Sequence, residues 1–419
     1  MGLSMKAKKE VSKEYARRYK KVRKRSKTEV LDEFVELTGY NRCYASYILR
    51  NWGRKVFLRG KNGDRLVIIG EFVKRKRYRK RPRKYDEAVL KVLVMFWKVL
   101  NFPCGKRLKA ELSEVVKKSR QFKEIKIPIE VKSKLDSISA ATIDRLLKSE
   151  RKKYELKCRA RTKPGTLLKK QIAIRTGTDW NEDEVGYTEV DLVSHDGGNT
   201  SGDFCHTLDV VDVKSGWTDL QAVKNKAQIW VFEALEEIRE RLPFALKGID
   251  SDNGGEFINA HLFNYCKEEG IDFTRGRSSH KNDNCYVEEK NFTAVRNYVG
   301  HYRYDNEQER TLLNELYSYL RLYLNYFQPL MKLKSKERIG SKVTKKYDQP
   351  KTPYQRLLEM EEINEAIKSE LKAIYKELNP FELKRNIEKI QNKLFKMVYL
   401  KRKQIYSNRK NYEYNISTF

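Results

Sequence analysis

The stretch GIDSDNGGEF, residues 248–257, decides the fold. Its first half alternates like a short strand, and Asn253-Gly254-Gly255 then forces a turn. Asp252 is thereby predicted at a strand end. Upstream, YTEVDLVS (187–194) and FCHTLDVVDV (204–213) show the same period-two alternation. KAQIWVFEALEEIRERL (226–242) and NAHLFNYCKEEG (259–270) are amphipathic at helical spacing, and Asn284–Val299 reads as a third helix. The region is predicted to be a mixed α/β domain, with antiparallel strands first (about 187–223) and strand–helix units after them.

Three acids fall where chemistry can be built. Asp191 lies in the first strand, Asp252 at the turn, and Glu288 on the helix CYVEEKNF, with 35 residues between the last two. In-line displacement at phosphorus uses two divalent cations about 3.5–4 Å apart, one for the attacking oxygen and one for the leaving oxygen. Mg²⁺ takes hard oxygen ligands and keeps part of its water, so a few carboxylates suffice. Clustered carboxylates repel one another until a cation binds. No Ser/His/Asp elbow, phosphate-binding glycine loop or Cys/His pair competes with this set.

Charge frames the same region. The 419 residues carry a net charge of +32. Residues 1–180 hold 52 Lys+Arg against 19 Asp+Glu, residues 181–300 hold 12 against 23, and residues 301–419 hold 25 against 15. An acidic block thus lies between two basic ones, as expected of a protein that grips a polyanion by its flanks and binds cations in the middle. The longest apolar run, Ala88–Val99, contains Lys91 and Lys98, so no membrane span is expected. The N-terminal lysines 6, 8 and 9 lead into more charge and not into an apolar stretch, so no signal peptide is expected. The six cysteines show no C-x-x-C, which suits a reducing compartment and argues against structural zinc.

The flanks divide further. Residues 1–54 read as a helix-turn-helix domain, with Gly39 at the tight turn. Asn41, Arg42, Tyr44 and Ser46 are its groove-facing candidates. Residues 55–84 combine a hairpin around Asn62-Gly63 with the basic run KRKRYRKRPRK, in which Lys74, Arg75 and Arg77 are candidate phosphate contacts. Residues 85–155 are expected to form a second helical DNA-binding domain, with Ser139 as a helix cap. Residues 156–180 are a basic linker, 181–329 the α/β core, 330–352 a second basic linker, and 353–419 a helical region with a basic tail, broken near Asn379-Pro380.

Residues 186–300 resemble the integrase catalytic core of DDE transposases and retroviral-type integrases, an α/β ribonuclease-H-like fold. The strand with Asp191, the run SDNGGEF (251–257) and VEEKN (287–291) match that family's three motifs, and the 35-residue spacing matches its D,D-35-E pattern. RSSHKNDNCYVEEKN (277–291), FQP (327–329) and KTPYQRL (351–357) resemble bacterial insertion-sequence transposases in particular. The zinc-binding His/His/Cys/Cys module of retroviral integrases is absent from the pattern. The resemblance implies a mixed five-stranded sheet, and a catalytic and metal-binding triad of Asp191, Asp252 and Glu288 holding two Mg²⁺, with Mn²⁺ as a substitute. Asp250 and Glu289 are the near rivals. Asp252 is preferred because the family's acid directly precedes Asn-Gly, and Glu288 and Glu289 lie about 100° apart on a helix, so both cannot face one site. Glu256 is read as a cap or DNA contact. His280, Lys281, Asn282, Lys290, Asn291 and Arg296 are candidate DNA contacts.

The function so implied is a bacterial, cytoplasmic and nucleoid-associated transposase. It would bind the terminal inverted repeats of a mobile element as a homo-oligomer. It would expose a 3′-hydroxyl with water and join that hydroxyl to target duplex DNA by direct transesterification. Double-stranded DNA, both ends and target, is the expected partner; no small-molecule substrate is expected. The alternatives are a DNA-binding regulator on the same scaffold, or a nuclease of the same fold without strand transfer.

Overall fold

The computed structural model describes residues 3–24, 26–58, 65–70, 84–154, 184–251, 257, 260–275, 285–340 and 342–416. The chain divides into two compact units, Met1–Pro82 and Arg83–Phe419.

The first unit holds helices α1 (Met5–Lys21), α2 (Lys27–Thr38) and α3 (Arg42–Asn51) and the antiparallel strands β1 (Lys55–Leu58) and β2 (Arg65–Ile68). Local chemistry sets the helix ends. The Ser4 hydroxyl accepts from Ala7 N at 3.3 Å and starts α1. Gly39, at φ +63°, closes α2 by donating to Val35 O at 2.8 Å. The Asn41 side chain then accepts from Cys43 N at 2.9 Å and opens α3. Ala16, Tyr19, Leu31, Phe34, Ala45 and Leu49 form the shared core. Burying a side chain such as Phe34 contributes about 1.5–3 kcal/mol.

The second unit starts with α4 (Glu87–Val99), α5 (Gly105–Gln121), α6 (Ile129–Ser137) and α7 (Ala140–Tyr154). Strands β3 (Tyr187–Ser194), β4 (His206–Asp212) and β5 (Thr218–Val223) follow, then α8 (Gln228–Arg241), β6 (Gly248–Ser251), α9 (Ala260–Glu268) and β7 (Asp272–Arg275). Helix α10 (Cys285–Lys290) continues through a π-helical turn, Asn291–Arg296, into α11 (Asn297–Val299). The chain ends with α12 (Glu307–Phe327), β8 (Leu333–Ile339), β9 (Lys342–Tyr347), α13 (Pro353–Glu359), α14 (Glu365–Glu377) and α15 (Pro380–Ile416).

Five strands make one mixed sheet in the order β5-β4-β3-β6-β7. β3, β4 and β5 are antiparallel, whereas β6 and β7 run parallel to β3. The strand alternation read from the sequence divides the residues between two faces. Val190, Leu208, Val210 and Ile249 meet Val231, Leu235 and Ile238 of α8 and Leu262 of α9. On the other side, Val193, Leu220 and Ala222 share a core with Leu313, Leu316 and Leu320 of α12.

That second core departs from the expected division. It also contains Phe96, Trp97, Leu108 and Leu112 from the 85–155 helices and Ile387 and Leu394 from α15. The stretches 85–155, 181–329 and 353–419 therefore form one unit rather than three domains, because each helical stretch buries its apolar stripe against the others. The segment 330–352, expected as a linker, carries the antiparallel hairpin β8–β9, with Gly340 at φ +59° between the strands. Among the described residues, no helix is long and apolar enough to cross a membrane.

Candidate active site

Strand β3 is the centre of the sheet and brings Glu189 and Asp191 to one face, two residues apart. Asp191 lies directly opposite Asp209 of β4. On the other side of β3, Asp250 pairs with Glu189 and Ser251 with Val190. Asp252 follows Ser251 in sequence and lies outside the described residues, as do Glu256, His280, Lys281, Asn282, Lys74, Arg75 and Arg77. The Asp250 carboxylate accepts from the Thr274 hydroxyl of β7 at 2.6 Å.

Helix α10, which bears Glu288, is held to β3 on both sides of that residue. Before it, the buried Glu189 carboxylate accepts from Tyr286 N at 2.8 Å and Val287 N at 2.9 Å. After it, Asn291 Nδ2 donates to Asp191 Oδ2 at 2.5 Å. Asp191 Oδ1 accepts from Leu192 N at 2.7 Å. Val287 is fully buried and anchors the helix, leaving Glu288 and Glu289 exposed. The helix widens into its π turn at Asn291, the residue that reaches Asp191. Such turns occur disproportionately at functional sites.

Asp209 is the electrostatic anomaly. It is 0% exposed, and neither carboxylate oxygen has a hydrogen-bond partner among the described residues. Burial pushes its pKa well above the carboxylate range and Asp191 adds to this, while Lys290 opposes it. Asn291 Oδ1 is likewise buried with no donor among the described residues.

The surrounding polar groups are committed to structure. The Arg296 guanidinium donates to Ser194 O at 2.7 Å and Gly300 O at 3.4 Å, so it fastens the π turn to the end of β3. His195 Nε2 meets the Thr207 hydroxyl at 2.7 Å, and that hydroxyl meets Tyr317 Oη at 2.7 Å. Burial drives the His195 pKa down to about 3, so the ring stays neutral.

In the first unit, Asn41 spends its side chain as the α3 cap, Arg42 pairs with Asp32, and Tyr44 is exposed with its ring edge-on to Tyr40.

The structure thus brings Asp191 and the helix of Glu288 together. Reading the sequence alone missed Glu189 and Asp209. Both carried a signal: an acid two residues before Asp191 in the same strand, and an acid inside an otherwise apolar strand. Among the described residues no group of three or more His, Cys, Asp or Glu is placed to hold a metal ion.

No family model matches the chain. Among solved structures, it is similar to the catalytic core domain of BIV integrase (19% identity, 41% of this chain and 91% of that one, TM-score 0.27). It is also similar to the HTLV-2 integrase catalytic core domain solved with magnesium in dimeric form (16% identity, 35% of this chain and 90% of that one, TM-score 0.26). Uncharacterized protein y4rM of Sinorhizobium fredii (strain NBRC 101917 / NGR234) is 34% identical over 354 residues, which is 84% of this chain and 96% of that protein. The chain belongs to the same family as y4rM.

Proposed function

We propose that this chain is a DDE transposase with a ribonuclease-H-like core, which cuts the ends of a mobile element and joins them to target DNA. The observation that supports this reading best is the double clamp. The helix bearing Glu288 is hydrogen-bonded to the strand bearing Asp191 just before and just after that acid. The strand leading to Asp252 lies beside the same strand.

Asp191, Asp252 and Glu288 would hold the cations. The donor set fits hard divalent ions, since it consists of carboxylates and lies beside oxygens of Asp209 and Asn291 that have no proton donor among the described residues. When bound, Mg²⁺ or Mn²⁺ supplies the Lewis acidity that phosphodiester displacement requires. The chain's own part is to fix the acids in advance. Asn291 orients Asp191, Glu189 holds the Glu288 helix, and Val287 anchors that helix in the core. The helices of the first unit would read the element ends through the exposed Tyr44, beside Asn41 and Arg42, which are already engaged by Cys43 N and Asp32. The basic segments would contact phosphates, which set register and affinity rather than sequence.

The test uses the full chain with Mg²⁺ or Mn²⁺, a labelled duplex carrying the element end, and a target plasmid. Joined products that vanish in Asp191→Ala, Asp252→Ala and Glu288→Ala are expected. Cleavage without joining would replace the reading with a nuclease. Tight DNA binding with neither reaction would leave a DNA-binding regulator.

A further inference from the structure

We infer that Asp209 and Asn291 form, with Asp191, an oxygen-only pocket for a divalent cation, with Asp209 as a fourth acid of the site. The inference rests on the metal-dependent reading above and adds Asp209, which the three motifs do not contain, beside Asn291.

The geometry carries it. Asp209 faces Asp191 across the β3–β4 ladder, and directly opposed residues of antiparallel strands point to the same face. Both Asp209 oxygens are buried and lack a hydrogen-bond partner among the described residues. Asn291, already committed to Asp191 through Nδ2, has its Oδ1 buried with no donor as well. Three acceptor oxygens thus accompany the Asp191 carboxylate, and among the described residues no proton donor reaches them.

Proteins almost always satisfy such groups. An ionised carboxylate out of water is costly unless a partner compensates it. Protonating Asp209 would remove its charge but would bring no described donor to its other oxygen. The Lys290 ammonium lies within electrostatic reach of Asp209 without hydrogen-bonding it. A hard cation held between these side chains and Asp191 would give the oxygens a partner, and carboxylate with amide oxygen is a donor set that Mg²⁺ and Mn²⁺ accept.

Mn²⁺ binding to the full chain, followed by electron paramagnetic resonance of the free ion and by the Mn²⁺-induced rise in melting temperature, tests this without any DNA reaction. Asp209→Asn keeps the shape and removes the charge. It is expected to fold with an unchanged or raised melting temperature in the absence of metal, and to bind Mn²⁺ roughly tenfold to hundredfold more weakly. Lys290→Met is expected to leave Mn²⁺ binding intact or tighten it. If Asp209→Asn binds Mn²⁺ as the wild type does while Asp191→Asn does not, Asp209 is only the counter-charge of Lys290; the pocket is then refuted and the transposase reading survives. If Asp191→Asn also binds normally, the transposase reading itself falls.

Discussion

Replacing Glu111 by Gln should stabilise the protein, and the gain should grow with pH. Glu111 sits on α5 and is 0% exposed. Its Oε1 accepts from Gln355 Nε2 of α13 at 3.0 Å, whereas Oε2 has no partner among the described residues. Burial pushes its pKa from 4.5 up to about 8, and nearby Glu114 adds to the rise. Between these two values the unfolded chain has lost the proton and the folded one keeps it. The folded state binds more protons, so stability falls as pH rises through the window and levels off above about 8. The interval, 8 − 4.5, is 3.5 pH units; at 1.36 kcal/mol per unit the full loss is about 5 kcal/mol. Urea unfolding followed by tryptophan fluorescence measures it, because Trp97 lies in the same core as the α5 residues Leu108 and Leu112. Over two pH units inside the window, for instance from about pH 5.5 to about 7.5, the advantage of Glu111→Gln should widen by about 3 kcal/mol. A gap that stays constant between those pH values would refute the reasoning, since a packing effect does not titrate.

Three further outcomes are expected. The neutral His195, held near 3 by burial, stays uncharged in the folded state while acid charges the unfolded ring below 6.5. Wild type should therefore lose about 1.4 kcal/mol per pH unit on acidification below that value relative to His195→Gln, read from urea midpoints at two acidic pH values. Phe34→Ala, at a fully buried site, should cost the first unit about 3–5 kcal/mol, seen as faster amide exchange across α1–α3. Glu189→Leu removes the acceptor of two α10 amides, so Tyr286 and Val287 N–H should exchange markedly faster.

Local chemistry was legible in the sequence, and long-range partnership was not. Asn41, read as a groove-facing contact, is the cap of α3, whereas Gly39 marks the end of α2 because it acts within a few residues of itself. The break at Asn379-Pro380 and the strands 187–194 and 248–251 are visible for the same reason. The shared core of the 85–155 helices with α12 and α15 was not visible. An apolar stripe shows that Phe96 and Trp97 are buried, not that their neighbours come from the far end of the chain. The hairpin β8–β9 escaped because LKSKERI and KVTKKY are polar on both faces and give no period-two pattern. At the site, the three motifs together, and not spacing alone, pointed to Asp191 and Glu288. They could not show that Glu189 would be turned inward to hold α10, or that Asp209 would face Asp191, because both depend on strand register.

The buried acids of the second unit can be sorted by what meets their oxygens, and the sorting isolates the site independently of any motif. Asp212 is enclosed by a turn, accepting from Gly186 N at 2.8 Å and Ser215 N at 2.6 Å. Asp219 takes the Arg241 guanidinium at 2.9 Å. Glu309 accepts from Asp305 N at 2.9 Å and Lys401 Nζ at 2.8 Å. Glu189 holds two helix amides, and Glu111 shares one amide and is predicted above to keep its proton. Each of these acids has a role that ends within the fold. Asp209 differs, because no described donor reaches either oxygen and only the charge of Lys290 is seen to oppose its burial. Its neighbours along β4, Leu208 and Val210, are apolar and buried, and an aliphatic side chain in its place would cost the fold nothing in charge desolvation. An ionised carboxylate there is costly, as its raised pKa reflects; Lys290 offsets part of that cost, and the residue lies on the face of Asp191. The acid that folding does not explain therefore adjoins the acid on which the proposed chemistry depends.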